Sequence, residues 1–343
     1  MQLTLSGPPH FPPINTVGGI MRQVLFALIP ALVAHCWFFG WGILFQLALA
    51  VGFALAFEAV MLRLRGKPLQ PFISDYSAVV TAVLFALCVP PLAPWWISLT
   101  GMLFAIVIAK HLYGGLGSNL FNPTMVGLAA VIIAFPIDLS QWLAPRSLSP
   151  GLPGLAETLR AILTGQLPAS LNWDTLSQAT PLDALRTGVA ENRMVTEIRA
   201  NPIFGDFGGR GWEWIANFYL LGGLYLIWRR VISWHVPVAV LATTIIVSTP
   251  MWLLGPDVNP SPLQHIFSGA LVIAAFFIAT DPVSGCSTLR GKLVFGAGVA
   301  LLTLAIRRFG GYPDGVAFAV LLMNMLAPLI DRLTTPRAYG HPR

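Results

Sequence analysis

The stretch Asp174 to Arg186 reads DTLSQATPLDALR and holds the residues best placed to do chemistry. Thr180 has the small Ala179 before it and Pro181 after it. A proline biases the preceding residue toward an extended backbone. The run TPLDALR therefore reads as a helix start, with Thr180 at the cap, Pro181 at the first position and Asp183 in the first turn. Two roles are open to that hydroxyl. It can cap the helix and nothing more, as in many Thr-Pro pairs. Alternatively it can be the acceptor of an ester, which links through oxygen, and a phosphate held there lies at the favourable positive end of a helix.

Other candidates are fewer and plainer. Glu58 lies five residues before Arg63, about 7 Å along a helix. It is read as an interfacial pairing group, with an ion-path carboxylate as the alternative. Asp281, in ATDPVSG (Ala279–Gly285), ends an apolar run. Asp-Pro there is a helix stop, or else a polar break for a cation or a flavin. His35 falls inside an apolar run and reads as a packed histidine. GGLGSNLFNP (Gly114–Pro123) is glycine-rich but lacks the lysine of a phosphate loop. It reads as a turn entering a helix, or as irregular backbone lining a buried site. Cys36, Cys88 and Cys286 are far apart with no metal-ligand spacing, so each reads as a small buried hydrophobe. No buried chain of Asp, Glu and His supports a self-contained proton pump.

The elements that must position these residues are membrane helices. Of 343 residues, 56% are hydrophobic and only 10% charged, with a mean hydropathy of +0.73. A soluble domain carries about 25% charged residues, so composition excludes one. The net charge of +6 does not point to nucleic acid, because the basic residues fall at the ends of apolar runs rather than on an aromatic-laced patch. The polar segment before Met21 has no cleavage pattern and reads as a short cytoplasmic tail entering an uncleaved first span.

Gln23 to Phe57 is uncharged over 35 residues, about 52 Å as one helix and too long for a hydrocarbon core of about 30 Å. It predicts two helices turning near Phe38–Gly42. Tyr76 to Ala109 predicts two more, turning at VPPLAPWW (Val89–Trp96). Single spans follow near Leu120–Phe135, Trp214–Trp228, Trp234–Leu254, Leu263–Thr280, Leu293–Ile306 and Tyr312–Ile330, the last two short enough to be tilted or broken. Ten spans place both termini on one side. With that side cytoplasmic, 12 basic residues lie inside and two, Arg307 and Arg308, on short outer loops. That bias fixes the orientation.

The polar segment 136–213 is then outside, in the periplasm, and holds eight of the fourteen acidic residues. Its LAETLRAILTG (Leu155–Gly165) predicts a short amphipathic helix ending at glycine. The expected architecture is an all-α polytopic membrane protein in three parts. These are a five-helix half (1–135), the external loop (136–213) and a second five-helix half (214–343). An odd number per half relates the halves by inverted topology, a common transporter plan.

The spacing Asp174-x-x-Ser177-x-Ala179-Thr180 resembles the flavinylation sequence Dxx(S/T)GAT, with Gln178 where that pattern prefers glycine. The segments SDYSAVVTAVLFALCVPP (Ser74–Pro91), GGLGSNLFNPTMVG (Gly114–Gly127), LSQATPLDALRTG (Leu176–Gly188) and FIATDPVSG (Phe277–Gly285) complete a wider match. Together they resemble, over essentially the full length, the RnfD family of the Rnf ion-translocating oxidoreductases. That family is related to NqrB of the sodium-pumping NADH:quinone reductase. The resemblance implies FMN attached covalently through Thr180 by a periplasmic flavin transferase that takes FAD, with Asp174, Ser177 and Ala179 forming the recognised sequence. It also implies a urea-transporter-like fold and a place in a multi-subunit complex of the bacterial inner membrane, in contact with lipid. That complex passes electrons between ferredoxin and NAD while moving Na⁺ or H⁺. A second, non-covalent flavin is open, and Arg186 is a candidate to tune the cofactor. The rival reading is a small-solute channel or secondary transporter of the same fold with no redox cofactor.

Overall fold

The computed structural model describes residues 16–149, 151–166, 176–312 and 314–336. Within them the chain is all-helical, with two isolated β-bridges and no strand. It is a multi-pass membrane protein. Six apolar segments are long enough to cross a membrane unaided: Val17–Phe39, Gly42–Leu64, Leu69–Ala86, His235–Leu254, Leu289–Phe309 and Val316–Thr334.

The helices are α1 (Val17–Phe39), α2 (Gly42–Leu64), α3 (Leu69–Ile73), α4 (Ser77–Ala86), α5 (Trp95–His111), α6 (Pro123–Ala134) and α7 (Pro136–Ser140). Then come α8 (Leu155–Thr164), α9 (Pro181–Ala190), α10 (Val195–Arg199), α11 (Trp212–Trp228), α12 (His235–Leu254) and α13 (Pro262–Phe267). The last are α14 (Leu271–Ile273, continuing as π-helix over Ala274–Ile278), α15 (Leu289–Phe309) and α16 (Val316–Thr334). The first predicted turn falls between α1 and α2, where Gly40 adopts φ +78° and returns its N–H to the Cys36 carbonyl. The proline-rich turn separates α4 from α5. α15 and α16 are continuous helices of 21 and 19 residues, neither short nor broken. α15 exceeds its uncharged length because Arg290 and Lys292 lie in its first turn and Arg307 and Arg308 in its last.

The single span predicted at Leu263–Thr280 is interrupted. α13 ends at Phe267, Gly269 takes φ +75°, and α14 restarts at Leu271. Leu69–Ala86 breaks in the same manner between α3 and α4, with Tyr76 left-handed at φ 60°. A carboxylate supports each restart. Asp75 accepts from the Ser77 N–H at 2.7 Å, and Asp314 accepts from the Ala270 N–H at 2.7 Å.

The packing pattern repeats between the halves. α2 packs on α4 and α5 as α12 packs on α13, α14 and α15; α5 packs on α6 as α15 packs on α16; α1 contacts α4 as α11 contacts α13 and α14. The halves meet where α1 crosses α11 and α6 crosses α16. At the first crossing a Cβ on Gly222 would run into the Ala27 carbonyl oxygen, so the backbones touch directly. Small residues at such contacts let membrane helices approach where no hydrophobic force drives them together. At the second, Asn324 Oδ1 accepts from the Asn122 N–H at 3.0 Å. Asn122 also caps α6, accepting from Met125 N–H, and donates to the Ile278 carbonyl.

The 136–213 segment carries its own small core of Leu185, Val195, Ile198, Ile203 and Phe204. The expected amphipathic helix is present as α8, closed by Gly165 at φ +70°.

Candidate functional site

Thr180 stands where the polar segment returns to the membrane helices. Its backbone is extended (φ −67°, ψ 157°), and its Oγ1 accepts from the Asp183 N–H at 3.2 Å. The expected helix start is therefore present, with Thr180 at the cap, Pro181 first and Asp183 in the first turn of α9. The strand-like residues before it are pinned. Ser177 forms a β-bridge with Leu143, Ala144 N–H donates to the Leu176 carbonyl, and Gln178 N–H donates to the Trp142 carbonyl. Ser177 is half-buried and Ala179 exposed, so approach to the hydroxyl from that side is open. Asp174 lies outside the described residues. Gln178 is not among the residues with positive φ. The backbone there asks for no glycine, so the departure from the pattern carries no conformational penalty.

Thr180 lines a cavity of about 350 Å³. This volume is within the usual range of small-molecule sites, about 300–1,000 Å³. From the α9 end the cavity is bordered by Thr180, Asp183, Arg186 and Tyr312, then by Trp142 and Trp212, and between the membrane helices by Cys88, His35 and Tyr219. The aromatic wall is built, not incidental. Trp212 packs against Trp142 and Phe39 at 4.8 Å between ring centroids. His35, which sequence reasoning takes as a packed histidine, is buried and its Nε2 lies 3.0 Å from the Tyr219 hydroxyl. Its Nδ1 has no protein partner among the described residues. A buried polar atom in that position calls for a ligand or water. A mostly apolar, aromatic cavity, lined by a histidine with an orphaned buried nitrogen and by Thr180, suits a heteroaromatic ring tethered by a short chain. The residues fit FMN in that sense.

Arg186 sits over Asp183, 3.8 Å away, with both side chains more than a third exposed or nearly so. Such a pair is worth roughly 0–1 kcal/mol, so Arg186 is free to turn toward an anion. The lining also includes Gly269, which packs against Leu182 of α9, and Asp314. Asp314 Oδ1 pairs with Arg307 at 3.2 Å, and Arg307 also donates to the His265 and Ser268 carbonyls freed by the helix break. Neither Asp314 nor the aromatic wall was singled out from sequence. The Trp residues are spread over 70 positions between Trp142 and Trp212, and no local pattern joins them.

Of the other candidates, Cys88 lines this cavity, while Glu58, Asp281, Cys36, Cys286 and the Gly114–Pro123 stretch do not join it. Glu58 is buried and holds Lys110 through both oxygens at 2.8 Å, with His111 Nε2 at 3.1 Å. Lys110 also donates to Ser77 Oγ at 2.9 Å, at the restart of α4. Asp281 accepts from Val283 N–H and from Ser284 Oγ, which is the bonding of a helix stop. Cys36, Cys88 and Cys286 are free thiols. Gly114, Gly115 and Gly117 have positive φ, and the Gly114 carbonyl accepts from Arg65. That stretch is a turn held from α2.

Comparison with known proteins decides the family. The model of the NQR2, RnfD, RnfE family matches residues 4–340. The chain belongs to the NQR2, RnfD, RnfE family. Among curated members, the D component of the ion-translocating oxidoreductase complex of Aeromonas hydrophila is 47% identical over 333 residues, covering 94% of this chain and 95% of that protein. The corresponding components from Citrobacter koseri and Escherichia fergusonii are 45% and 46% identical over 349 residues. These alignments cover 99% of this chain and 100% and 99% of the relatives. The family resemblance drawn from sequence motifs is thus borne out at full length.

Proposed function

We propose that this chain is the RnfD-type membrane component of an ion-translocating oxidoreductase complex, and that it carries electrons through FMN esterified to Thr180. The observation that supports the flavin reading best is that Thr180 lines the cavity walled by Trp142, Trp212 and Tyr219. FMN held by Thr180 would supply one-electron carriage between neighbouring redox centres. Attachment forms a bond between Thr180 Oγ1 and the flavin phosphate as the anhydride of FAD breaks and AMP departs. The hydroxyl proton would leave to the transferase or to solvent.

The chain's own residues prepare this step. The β-bridge at Ser177 and the Pro181 ring hold Thr180 extended, so its hydroxyl is presented rather than folded into a helix. The start of α9 offers positive dipole to the phosphate, and Arg186 offsets the charge of Asp183 beside it. Trp142, Trp212 and Tyr219 exclude water from the ring site, while His35 Nδ1 offers one polar contact. The three-part division stands with this reading: halves 1–135 and 214–343 related by inversion, and segment 136–213 in the periplasm of a bacterial inner membrane with both termini cytoplasmic. The transferase, the neighbouring subunits and surrounding lipid are its partners.

The channel or transporter reading finds its support in the two broken helices. At the second break, however, a tethered cation already occupies the freed carbonyls, Arg307 at His265 and Ser268, and at the first Lys110 donates to the Ser77 hydroxyl at the restart of α4. The experiment that separates the readings is co-expression with a flavin transferase, followed by a denaturing gel. Fluorescence in the wild-type band that is lost in Thr180→Val supports the redox reading. A dark wild-type band supports the transporter.

A further inference from the structure

A second cavity, of about 580 Å³, lies on the other side of α9 from Thr180, between α12, α13 and α15. Its lining includes three arginines, Arg186, Arg307 and Arg308, and no aspartate or glutamate. Arg307 is committed to Asp314 and two carbonyls. Arg308 gives one N–H to the Val258 carbonyl and is exposed, and Arg186, also exposed and shared with the first cavity, pairs only loosely with Asp183 at 3.8 Å. Two guanidinium groups therefore face one opening with donors to spare. Deeper in, Gln264 is 2% exposed and neither its Oε1 nor its Nε2 has a partner among the described residues. The membrane-facing walls are apolar: Val247 and Met251 on α12, Leu301 and Leu304 on α15. Met251 and Leu301 are 40% and 48% exposed, so this side opens laterally to hydrocarbon.

We infer that this cavity is a binding site for a phospholipid with an anionic headgroup, in the leaflet on the side of the 136–213 segment. The arrangement calls for an amphiphile with three parts in order. An anion meets Arg186 and Arg308, since arginine forks match phosphate oxygens. A polar linkage reaches Gln264, whose buried amide is costly to leave unpaired. An acyl chain runs between α12 and α15. A glycerophospholipid has those parts in that order, whereas free phosphate uses only the first. Arg307 and Arg308, in the last turn of α15, are also the two basic residues that run against the charge bias expected of the rest of the chain. Arg307 is accounted for by Asp314, and a lipid phosphate accounts for Arg308. The site stands on its own residues and does not require flavin at Thr180.

The test is photolabelling of the full-length chain in nanodiscs, using phosphatidylglycerol with a photoactivatable group on one acyl chain. Label is expected in peptides containing 247–251 and 301–304. It should fall about tenfold, equivalent to roughly 1.4 kcal/mol, in Arg186→Gln/Arg308→Gln and also drop in Gln264→Leu, which keeps every charge. It should persist in Arg229→Gln/Arg230→Gln and in Thr180→Val, the latter keeping this result separate from the flavin assignment. Label spread evenly over the helices, or equal labelling by the phosphatidylcholine analogue, overturns the site. Displacement by inorganic phosphate alone, with no effect of Gln264→Leu, assigns it to free phosphate and overturns the lipid.

Discussion

Thr180 has two duties in one atom. Its Oγ1 caps α9 and, in the proposed function, becomes the ester oxygen. The two are separable by substitution. Thr180→Ser keeps the hydroxyl and the cap, and should retain covalent flavin on a fluorescent gel. Thr180→Asn keeps a capping group of comparable strength but no ester acceptor, and should be dark with unchanged thermal stability. Glu58 and Lys110 make the second residue-scale case. Their side chains are 2% and 3% exposed. Removing one partner of such a pair leaves a buried charge and costs about 3–5 kcal/mol, while replacing both with apolar groups is often neutral. Glu58→Ala should therefore lower the unfolding midpoint of the detergent-solubilised protein sharply. Glu58→Leu/Lys110→Met should recover most of the loss. A double variant no more stable than the single would mean the pair does not act as a unit.

Helices and their turns were largely legible because charge-free length and glycine or proline punctuation are local signals. Gly40 and the Val89–Trp96 run ended helices where expected. The break at Gly269 was not legible, because hydropathy is continuous across Ser268–Ala270 and the residues that stabilise it come from elsewhere. Asp314 is 44 residues away from the Ala270 amide it receives, and Arg307 is 39 from the Ser268 carbonyl. Lys110 was invisible as Glu58's partner for the same reason, lying 52 positions on. The candidate site followed the same division. Thr180 and its helix start were local and readable, while the aromatic wall is assembled from α1, α11 and the segment after α7. At this scale Gly222 is the sharpest handle. Any larger side chain there must move the α1 backbone at Ala27. Gly222→Val should cost about 1–3 kcal/mol, the usual penalty of overpacking, read as reduced thermal stability. Gly52, with open space around its position, should accept the same change with little effect.

Across the whole molecule, the repeated packing of α2–α6 and α12–α16 sets Thr180 between two halves rather than on one of them. The cavity below it draws on α1, α6, α11 and α16, the four helices that cross at the interface. A site at the seam of two repeats is where transporter folds place theirs, and here the proposed occupant is a tethered electron carrier. The orientation makes a direct prediction. Alkaline phosphatase fused after residue 163, in α8, should be active, and the same fusion after residue 66, beyond α2, should be inactive. The reverse pattern would invert the topology and remove Thr180 from the compartment where the transferase is proposed to act. The most direct test of the central claim is the mass of the tryptic peptide 161–186, which runs from the residue after Arg160 to Arg186 and contains Thr180. In protein made alongside an active flavin transferase, the peptide should be heavier by FMN less one water, with fragment ions placing the addition on Thr180. The same peptide found only at its unmodified mass would contradict the account.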